Sequence, residues 1–395
     1  MDKIFEVYIA PADSPSEAYA ELWLPVQPYA LFDALDKAHL DDNTPMYLEV
    51  NYYAGFAYLA PILSAGCSLL EINALAQKLS ELDKRQSEAF EGLVKMEVAK
   101  RAGSITMPSL LDLAYSADCC HFIPEVRTDA QLGRFYAENS FIPELDALSD
   151  NVFEMLDFEK IGREARLGEN GVYTNGGYVL CQSELLSAPL RLTAPPQKPE
   201  YIFRFTAEND LCYKGGDYDG QRAVIDLPAT EAELNAVLQR LEAPSWDNVI
   251  LTDYDGAIPD LTEMTDWFDG IERLNELALA VKQVEAMGLL PKFKAVMAAT
   301  ECSDLDIALA LTEGLDEYVL DAGISSTRDL AMDELKFIMN AEDAELLAGF
   351  TDMHGYGQAI MDRDNVAMTP YGLVTRTDCQ PIQAQAQSDH RMEMM

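Results

Sequence analysis

The stretch Leu156 to Val179, LDFEKIGREARLGENGVYTNGGYV, aligns without a gap with Thr351 to Val374, TDMHGYGQAIMDRDNVAMTPYGLV. In the first stretch, Asn175-Gly176-Gly177 predicts a tight hairpin turn. The ungapped match between these two parts of the chain indicates a tandem duplication. The two stretches are identical at Asp157 and Asp352, Gly162 and Gly357, Asn170 and Asn365, Thr174 and Thr369, Gly177 and Gly372, and Val179 and Val374.

Earlier parts of the chain follow the same order of signals. Leu24-Pro25 and Leu227-Pro228 each precede residues with the apolar spacing of an amphipathic helix, and Thr230 with Glu233 predicts a capping box for the second helix. The offset between matching residues falls from 203 at Leu24 and Leu227 to 195 at Leu156 and Thr351. A drift this small is typical of an old duplication with short loop insertions.

Further matches lie between these points. The β-rich runs 46–50 and 249–252 predict strands. The runs 72–76 and 274–278 lie in predicted helices that begin near Ser68 and Asp269, with Glu71 and Glu272 placed for capping boxes. A second helix is predicted in each half, at 86–102 and 290–300.

We therefore predict an α+β fold in an elongated, multi-domain chain of two tandem repeats, each a small α/β sheet domain plus a helical domain. A Pro-rich stretch predicts an extended linker between the halves. The predicted boundaries are 1–105 and 106–186 for the first repeat, 187–200 for the linker, 201–302 and 303–380 for the second repeat, and 381–395 for a flexible tail.

Net charge restricts the classes of function. The chain carries 68 acidic and 28 basic residues in 395, a formal charge of -40. Duplex DNA with as many charges would be about 20 base pairs, or roughly 70 Å, long. Such a charge repels nucleic acid and anionic membranes and attracts basic partners. A hydrophobic content of 49% argues against a disordered chain.

The acids are concentrated in two places. The clusters are 138–157 and 247–276; we call 138–164, which extends the first cluster to Glu164, the first acidic segment, and 247–276 the second acidic segment. Up to Asp157 the first contains acids and no base, and the second has Arg273 as its one base. The clusters indicate a binding role, because dense like charge destabilises a fold. The candidate acids here are Glu138, Glu144, Asp146, Asp150, Glu154, Asp157, Asp247, Asp253, Asp255, Asp260, Glu263, Asp266, Asp269, Glu272 and Glu276.

Signals for catalysis are weak. The sequence has no phosphate-binding loop, dinucleotide fingerprint or metalloprotease helix. Cys119-Cys120-His121 is a compact group of soft ligands, but adjacent cysteines share a tetrahedral metal site poorly, so we interpret it as two buried thiols beside a surface imidazole. We expect a protein without catalytic residues, cofactor or metal.

Apolar runs, the first residues and the cysteines predict where in the cell the protein is located. No apolar run reaches the length of about 18 residues that spans a bilayer, and the first residues do not resemble a signal peptide. Seven cysteines without a regular spacing fit reduced thiols. We expect a cytoplasmic protein that does not bind membranes.

Three segments carry a resemblance to a known family: Leu251 to Asp255 (LTDYD), Leu274 to Ala278 (LNELA) and Leu156 to Glu164 (LDFEKIGRE). They resemble recurrent motifs of the ArdA antirestriction proteins, and they touch both halves of the chain. The resemblance implies an acidic DNA mimic in a bacterial host that fills the DNA groove of type I restriction-modification enzymes, normally as a homodimer. By their positions in these motifs, the resemblance implies that the acids that imitate phosphates are Asp157, Glu159, Glu164, Asp253, Asp255 and Glu276.

The chain departs from the family in two respects. It is about twice as long as a typical member, and its second late motif, Thr351 to Gln358, lacks the acids and the arginine. The length suggests either a monomer whose halves imitate the family's two-fold body or a homodimer. The change in the motif puts equal use of the two halves in doubt.

Several functions remain open from the residues alone. The same mimicry could act on a CRISPR effector or another defence nuclease instead of a type I restriction enzyme. An acidic hydrolase and a scaffold protein with a solubilising surface are alternatives of other classes. In every form of the mimicry hypothesis, the partner is a basic DNA-binding protein and not nucleic acid.

The elongated architecture can be tested by small-angle X-ray scattering. A compact globule of 395 residues has a radius of gyration of roughly 21 Å. We expect a clearly larger value at the mass of a monomer, and a value near that of the globule would contradict the prediction.

Overall fold

The computed structural model describes residues 2–13, 18–41, 43–63, 67–101, 105–146, 149–181, 183–188, 198–214, 217–259, 261–264 and 270–382. Most of the predicted linker 187–200 and most of the predicted tail 381–395 therefore lie outside the described residues. Among the described residues, no helix is long and apolar enough to cross a membrane.

Helices and small sheets alternate along the chain, so the fold is α+β as predicted. The helices are α1 (Pro28–Lys37), α2 (Ala60–Leu63), α3 (Leu69–Ser80), α4 (Lys84–Arg101), α5 (Met107–Tyr115), α6 (Asp129–Glu138), α7 (Asp150–Phe153), α8 (Phe158–Glu169), α9 (Glu231–Leu241), α10 (Leu261–Met264), α11 (Ile271–Ala286), α12 (Leu290–Ala299), α13 (Leu305–Glu313), α14 (Thr327–Ile338), α15 (Ala341–Ala348) and α16 (Met353–Asp364).

The strands are β1 (Phe5–Pro11), β2 (Ala20–Leu24), β3 (Met46–Tyr53), β4 (His121–Pro124), β5 (Val172–Tyr173), β6 (Gly177–Leu180), β7 (Phe203–Asn209), β8 (Tyr213–Lys214), β9 (Asp217–Tyr218), β10 (Arg222–Leu227), β11 (Val249–Gly256), β12 (Tyr318–Asp321), β13 (Ala367–Thr369) and β14 (Gly372–Arg376). They form sheets of order β2-β1-β3, β4-β6-β5, β10-β7-β11 and β12-β14-β13, and a β8-β9 pair. The hairpin predicted at Asn175-Gly176 joins β5 to β6.

Contacts divide the chain into two units. The first unit contains residues 1–8, 21–26 and 48–196, and the second contains 9–20, 27–47 and 197–395. The predicted domain boundaries stay predictions.

In the first unit, an asparagine side chain joins a helix to a loop. Asn73 of α3 accepts a hydrogen bond from the Val26 amide (2.9 Å) and donates one to its carbonyl (3.1 Å). Nearby, the Ile4 amide donates to Leu24 O (2.7 Å), and the Ala54 amide donates to Ile4 O (2.8 Å). The Asn73 side chain thus satisfies both backbone groups of a residue that belongs to no ladder.

In the second unit, Asn275 of α11 makes the same pair of bonds to Ala229, at 2.7 and 2.9 Å. The Ile202 amide donates to Leu227 O (2.7 Å), and the Ala257 amide donates to Ile202 O (2.9 Å). Matched residues of the sequence therefore make matched local hydrogen bonds.

Glycines set the packing of α6 against α8 in the first unit. A Cβ atom added at Gly162 would lie 1.8 Å from Asp129 O, and one added at Gly133 would lie 1.9 Å from Phe158 O. Neither position tolerates a side chain at this helix spacing. In the second unit, a Cβ atom at Gly357 of α16 would lie 1.9 Å from Thr327 O of α14.

The cap predictions had mixed outcomes. Ser68 with Glu71 and Thr230 with Glu233 form complete capping boxes, as predicted. The predicted cap at Asp269 is wrong, because α11 begins at Ile271 after Gly270, which makes no side-chain cap bond. Glu272 is then one position too early for the N3 role, and Asp269 itself lies outside the described residues.

A buried lysine fixes α1 within the second unit. Lys294 of α12 is 4% exposed, and its Nζ lies 2.7 Å from Asp33 Oδ1 and 2.6 Å from Asp36 Oδ2. The Tyr371 hydroxyl also donates to Asp33 (2.7 Å). Burial alone would raise the pKa of Asp33, but Lys294 and Lys37 hold it below its usual value.

The helix contact in the first unit can be tested with two alanine substitutions in α8. Gly162→Ala should lower the free energy of unfolding by about 1–3 kcal/mol, because its methyl group meets a backbone carbonyl. Gly168→Ala is the matched control: a Cβ atom there meets nothing within 4 Å, so helix propensity should stabilise the protein by up to about 1 kcal/mol. Urea unfolding measures both, and equal effects would contradict the close approach.

Candidate partner-binding surface

The first acidic segment presents most of its candidate carboxylates to solvent. Two of these acids, Glu159 and Glu164, lie on α8, and Asp157 immediately precedes that helix. The structure gives no side-chain description for Asp150, although the residue begins α7. The exposed candidates are Glu138, Glu144, Asp146, Glu154, Asp157, Glu159 and Glu164.

Some of these acids are paired. Arg134 contacts Glu138 (3.3 Å) and Glu154 (2.9 Å), and Arg163 contacts Glu159 (2.6 Å). Asp157 caps α8 by accepting a hydrogen bond from the Lys160 amide (3.0 Å). These contacts fix carboxylates on the surface and reduce the charge they present.

Other carboxylates in this segment are unpaired. Within the described part of the chain, Glu144, Asp146 and Glu164 are exposed and make no ion pair or side-chain hydrogen bond. Because these carboxylates have no counter-charge among the described residues, their full charge is available to a partner. Even an exposed ion pair would compete only weakly with such a partner.

A polar cluster holds the helix that carries Glu159 and Glu164. Asp129 at the start of α6 accepts hydrogen bonds from Arg166 Nε (2.7 Å) and from the Tyr173 hydroxyl (2.8 Å). The Arg166 guanidinium is the main reason that the pKa of Asp129 lies below its usual value. Asp129 therefore stays ionised and ties α6 to both α8 and β5.

The second acidic segment is only partly described. Asp247, Asp253, Glu272 and Glu276 are exposed, and Asp247 accepts a hydrogen bond from Ser245 (3.3 Å) while Glu276 pairs with Arg273. Glu263 belongs to α10, but its side chain is not described. The candidates Asp260, Asp266 and Asp269 lie outside the described residues.

Asp255 is not a surface acid, so its assignment as a phosphate mimic is wrong. It is 6% exposed, and its carboxylate accepts hydrogen bonds from the Tyr201 hydroxyl (2.5 Å) and the Tyr29 amide (3.3 Å). Burial raises the pKa of Asp255, although the Tyr201 hydrogen bond acts in the opposite direction. These contacts give Asp255 a structural role.

A β-bulge explains why Asp253 and Asp255 differ. Thr252 pairs with Thr206 and Asp255 pairs with Arg204, so β11 contains one more residue than β7 across this interval. Asp253 has a φ of 48°, a left-handed conformation that Asp tolerates better than most residues. The extra residue interrupts the strand alternation and turns Asp255 inward while Asp253 stays exposed.

The prediction of two buried thiols beside a surface imidazole is confirmed for Cys120 and His121 but not for Cys119. Cys120 is buried, Cys119 is half-buried and His121 is exposed. Burial raises the pKa of the Cys120 thiol, and a hydrogen bond with Cys181 acts in the same direction. In the described ranges, no group of three or more His, Cys, Asp or Glu side chains could hold a metal ion.

The sequence analysis missed two exposed apolar residues, one on α14 and one just after α15. Phe337 and Phe350 are 87% and 86% exposed. Apolar residues at helical spacing are normally assigned to a core, and this assumption hid them. Their spacing does not reveal this exposure, because contacts between helices decide that the face with Ala331, Ala344 and Ala348 is the packed one.

No protein-family model matches this chain, and no curated protein has significant sequence similarity to it.

The structural role of Asp255 can be tested with Tyr201→Phe. This change removes a donor to a buried carboxylate and should lower the free energy of unfolding at neutral pH by about 1–3 kcal/mol. Tyr52→Phe is the control, because Tyr52 is half exposed and its hydroxyl has no partner among the described residues.

The pH dependence has a defined sign. Because the pKa of Asp255 is raised on folding, its contribution to stability is lost as pH rises through the folded-state pKa. Removing the Tyr201 hydroxyl enlarges the shift, so the deficit of Tyr201→Phe should be largest at neutral pH and shrink in acid. Urea unfolding of the wild type and Tyr201→Phe from about pH 4 to pH 7 measures this difference in the free energy of unfolding. A difference that grows in acid would contradict the structural role of Asp255.

Proposed function

We propose that this protein is a non-enzymatic DNA mimic that inhibits a type I restriction-modification enzyme in the bacterial cytoplasm by occupying its DNA-binding groove. The proposal is carried by one observation: the two acidic segments present eleven of their candidate carboxylates to solvent, and several of these have no counter-charge. In the described residues, unpaired exposed candidates are Glu144, Asp146, Glu164, Asp253 and Glu272.

The charge distribution favours a binding role over simple solubility. A surface that only keeps a protein soluble works best when positive and negative side chains are interspersed. These five carboxylates have no positive partner among the described residues, so their negative charge is not neutralised. A groove that binds duplex DNA is lined with lysine and arginine for phosphate contacts. The exposed carboxylates supply the same sign of charge that such a groove recognises.

We further propose that the chain is a tandem duplication. The matching hydrogen bonds of Asn73 and Asn275 support this, as do Asp157 and Asp352, which cap α8 and α16 alike. Asn170 and Asn365 end these helices in the left-handed conformation, with φ of 54° and 56°. A duplicated body offers an inhibitor two related surfaces on one chain.

The decisive experiment measures DNA cleavage by a purified type I restriction enzyme in the presence of the protein. The test variant combines Glu144→Gln, Asp146→Asn, Glu164→Gln, Asp253→Asn and Glu272→Gln. We expect the inhibition constant to rise at least about tenfold, because five exposed contacts each contribute up to about 1 kcal/mol. Circular dichroism and urea unfolding confirm that the variant is folded.

The matched control removes the same number of exposed charges outside the two acidic segments. It combines Glu21→Gln, Glu184→Gln, Asp210→Asn, Glu313→Gln and Asp316→Asn, all of which are exposed. The control should inhibit almost as well as the wild type. If both variants lose the same activity, only total charge matters and the proposed surface is wrong.

Salt provides a second readout in the same assay. Inhibition by the wild type should weaken steeply between low salt and about 0.2 M salt, and the test variant should show a shallower dependence. Inhibition that is insensitive to salt would exclude the mimicry mechanism. If the protein does not inhibit type I enzymes but binds another DNA-handling defence enzyme in a salt-dependent way, the target is that enzyme and the mimicry mechanism is unchanged.

A further inference from the structure

A cavity of about 500 Å³ lies in the second unit, lined by residues of α14, α16, β12 and β14. Its apolar wall consists of Ile324, Leu330, Ile360 and Leu373, which are all buried and pack together as one cluster. The exposed carboxylate of Asp364 also lines it. A cavity of this size, with an apolar wall and a few polar groups, is typical of a small-molecule site.

The first unit contains a corresponding set of elements. Sheets β4-β6-β5 and β12-β14-β13 have the same strand order, and α8 and α16 each end at an asparagine in the left-handed conformation. In the register of the strands, Ile123 pairs with Tyr178, and Asp321 pairs with Leu373. Residues of the two units can therefore be matched by their places in the fold.

In the first unit, two tyrosine rings fill the place that matches the cavity. Tyr136 and Tyr178 are 6% and 0% exposed and belong to one core cluster. Their hydroxyls donate to the same oxygen of Glu169, the last residue of α8, at 2.8 and 3.0 Å. A buried tyrosine normally finds such a partner for its hydroxyl. The carboxylate of Glu169 thus accepts hydrogen bonds from two phenol groups.

In the second unit, the ring of Tyr178 has no counterpart. The matched residue of β14 is Leu373, whose side chain is smaller and ends in methyl groups. The acceptor is kept, because Asp364 is the last residue of α16 as Glu169 is of α8. Both Leu373 and Asp364 line the cavity. The second unit therefore retains a carboxylate acceptor beside a space that lacks the aromatic donor.

The position of Tyr136 has also changed. Glu334 lies as far beyond the cap residue of α14 as Tyr136 lies beyond that of α6. Arg363 contacts both Glu334 (3.0 Å) and Asp364 (2.6 Å), and all three line the cavity. A carboxylate can accept more than one hydrogen bond, and a guanidinium group is attracted to the face of an aromatic ring. This ionic group can therefore serve an aromatic ligand as acceptor and as cation.

We propose that this cavity binds a small molecule that carries a phenol group. The aromatic ring packs against Leu330 and Ile360. The phenol hydroxyl donates to Asp364, as the Tyr178 hydroxyl donates to Glu169 in the first unit. The groups that line this one cavity specify the ligand, and the net charge of the chain plays no part. The inference goes beyond the proposed function and does not depend on it, because an imitation of DNA needs no small ligand.

The test is an NMR titration of the full chain, labelled in its isoleucine and leucine methyl groups, with 4-ethylphenol. We expect the methyl signals of Leu330, Ile360 and Leu373 to shift until the cavity is saturated. Ethylbenzene has the same ring and no hydroxyl, so it should bind at least about fivefold more weakly, because the hydrogen bond to a carboxylate is lost. Both probes are uncharged, so the acidic surface attracts neither of them.

A cavity-filling variant provides the first control on the binding site. Val366→Gly with Leu373→Tyr restores the pair found in the first unit and should abolish binding of 4-ethylphenol. Both changes are needed, because a Cβ atom added at the matched Gly171 would lie 1.9 Å from the Tyr178 hydroxyl oxygen. Urea unfolding shows whether this variant is folded.

The role of the carboxylate is tested separately, so the inference stays open to contradiction if the filled variant does not fold. Asp364→Ala should weaken binding of 4-ethylphenol at least about fivefold and leave binding of ethylbenzene unchanged. Asp362→Ala is the matched control, because Asp362 is an exposed acid on the same helix that does not line the cavity. It should leave the binding of both probes unchanged.

Two results would overturn the inference. In the first, 4-ethylphenol shifts none of the three methyl signals up to its solubility limit, so the cavity binds no phenol. In the second, Asp364→Ala binds 4-ethylphenol as tightly as the wild type, so the hydroxyl is not recognised by this carboxylate. The restriction assay stays independent, because Asp364 and Leu373 lie outside both acidic segments.

Discussion

Repulsion among carboxylates is the constraint on which the rest of this structure depends. With 68 acidic and 28 basic residues, the chain cannot pair every acid, and three of its cations are the partners of carboxylates that are shielded from water. Lys294 lies between Asp33 and Asp36, Arg166 holds Asp129, and Arg222 contacts the buried Glu208. Buried carboxylates need such partners far more than exposed ones do. Exposed acids that no cation among the described residues reaches, such as Glu144 and Asp146, keep their full charge and form part of the charged surface.

Short-range backbone contacts counter this repulsion at a few points. Asn73 and Asn275 each satisfy both backbone groups of a loop residue, and Gly133 with Gly162 lets two helix backbones approach closely. These contacts need no charge, so they are insensitive to the ionic conditions that alter the acidic surface. They also connect the elements that carry the candidate acids to apolar cores. The position of the surface charges therefore depends on uncharged contacts as well as on ion pairs such as Arg166 with Asp129.

Local signals could be predicted well from the sequence, and contacts between distant segments could not. Ser68 with Glu71, Thr230 with Glu233 and the turn at Asn175-Gly176 are specified within a few residues, and all are present in the structure. Asp255 looked like Asp253 because both follow the strand alternation, and only the pairing of β11 with β7 reveals the bulge. The start of α11 was misplaced because Asp269 is a good cap residue in isolation while Gly270 occupies the cap position. Exposure of Phe337 and Phe350 depends on which face of a hairpin is already packed, and spacing alone does not encode that.

The unpaired exposed carboxylates, such as Glu144, Asp146 and Asp253, have a consequence for a target enzyme under the proposed function. Carboxylates imitate phosphates but carry none of the donor and acceptor patterns of base edges. An enzyme that changed its recognition sequence would therefore remain susceptible to the inhibitor. It could become resistant only by losing positive charge from its groove, and that loss would weaken its grip on its own DNA. An inhibitor of this kind restricts the evolutionary escape of its target to routes that damage the target itself.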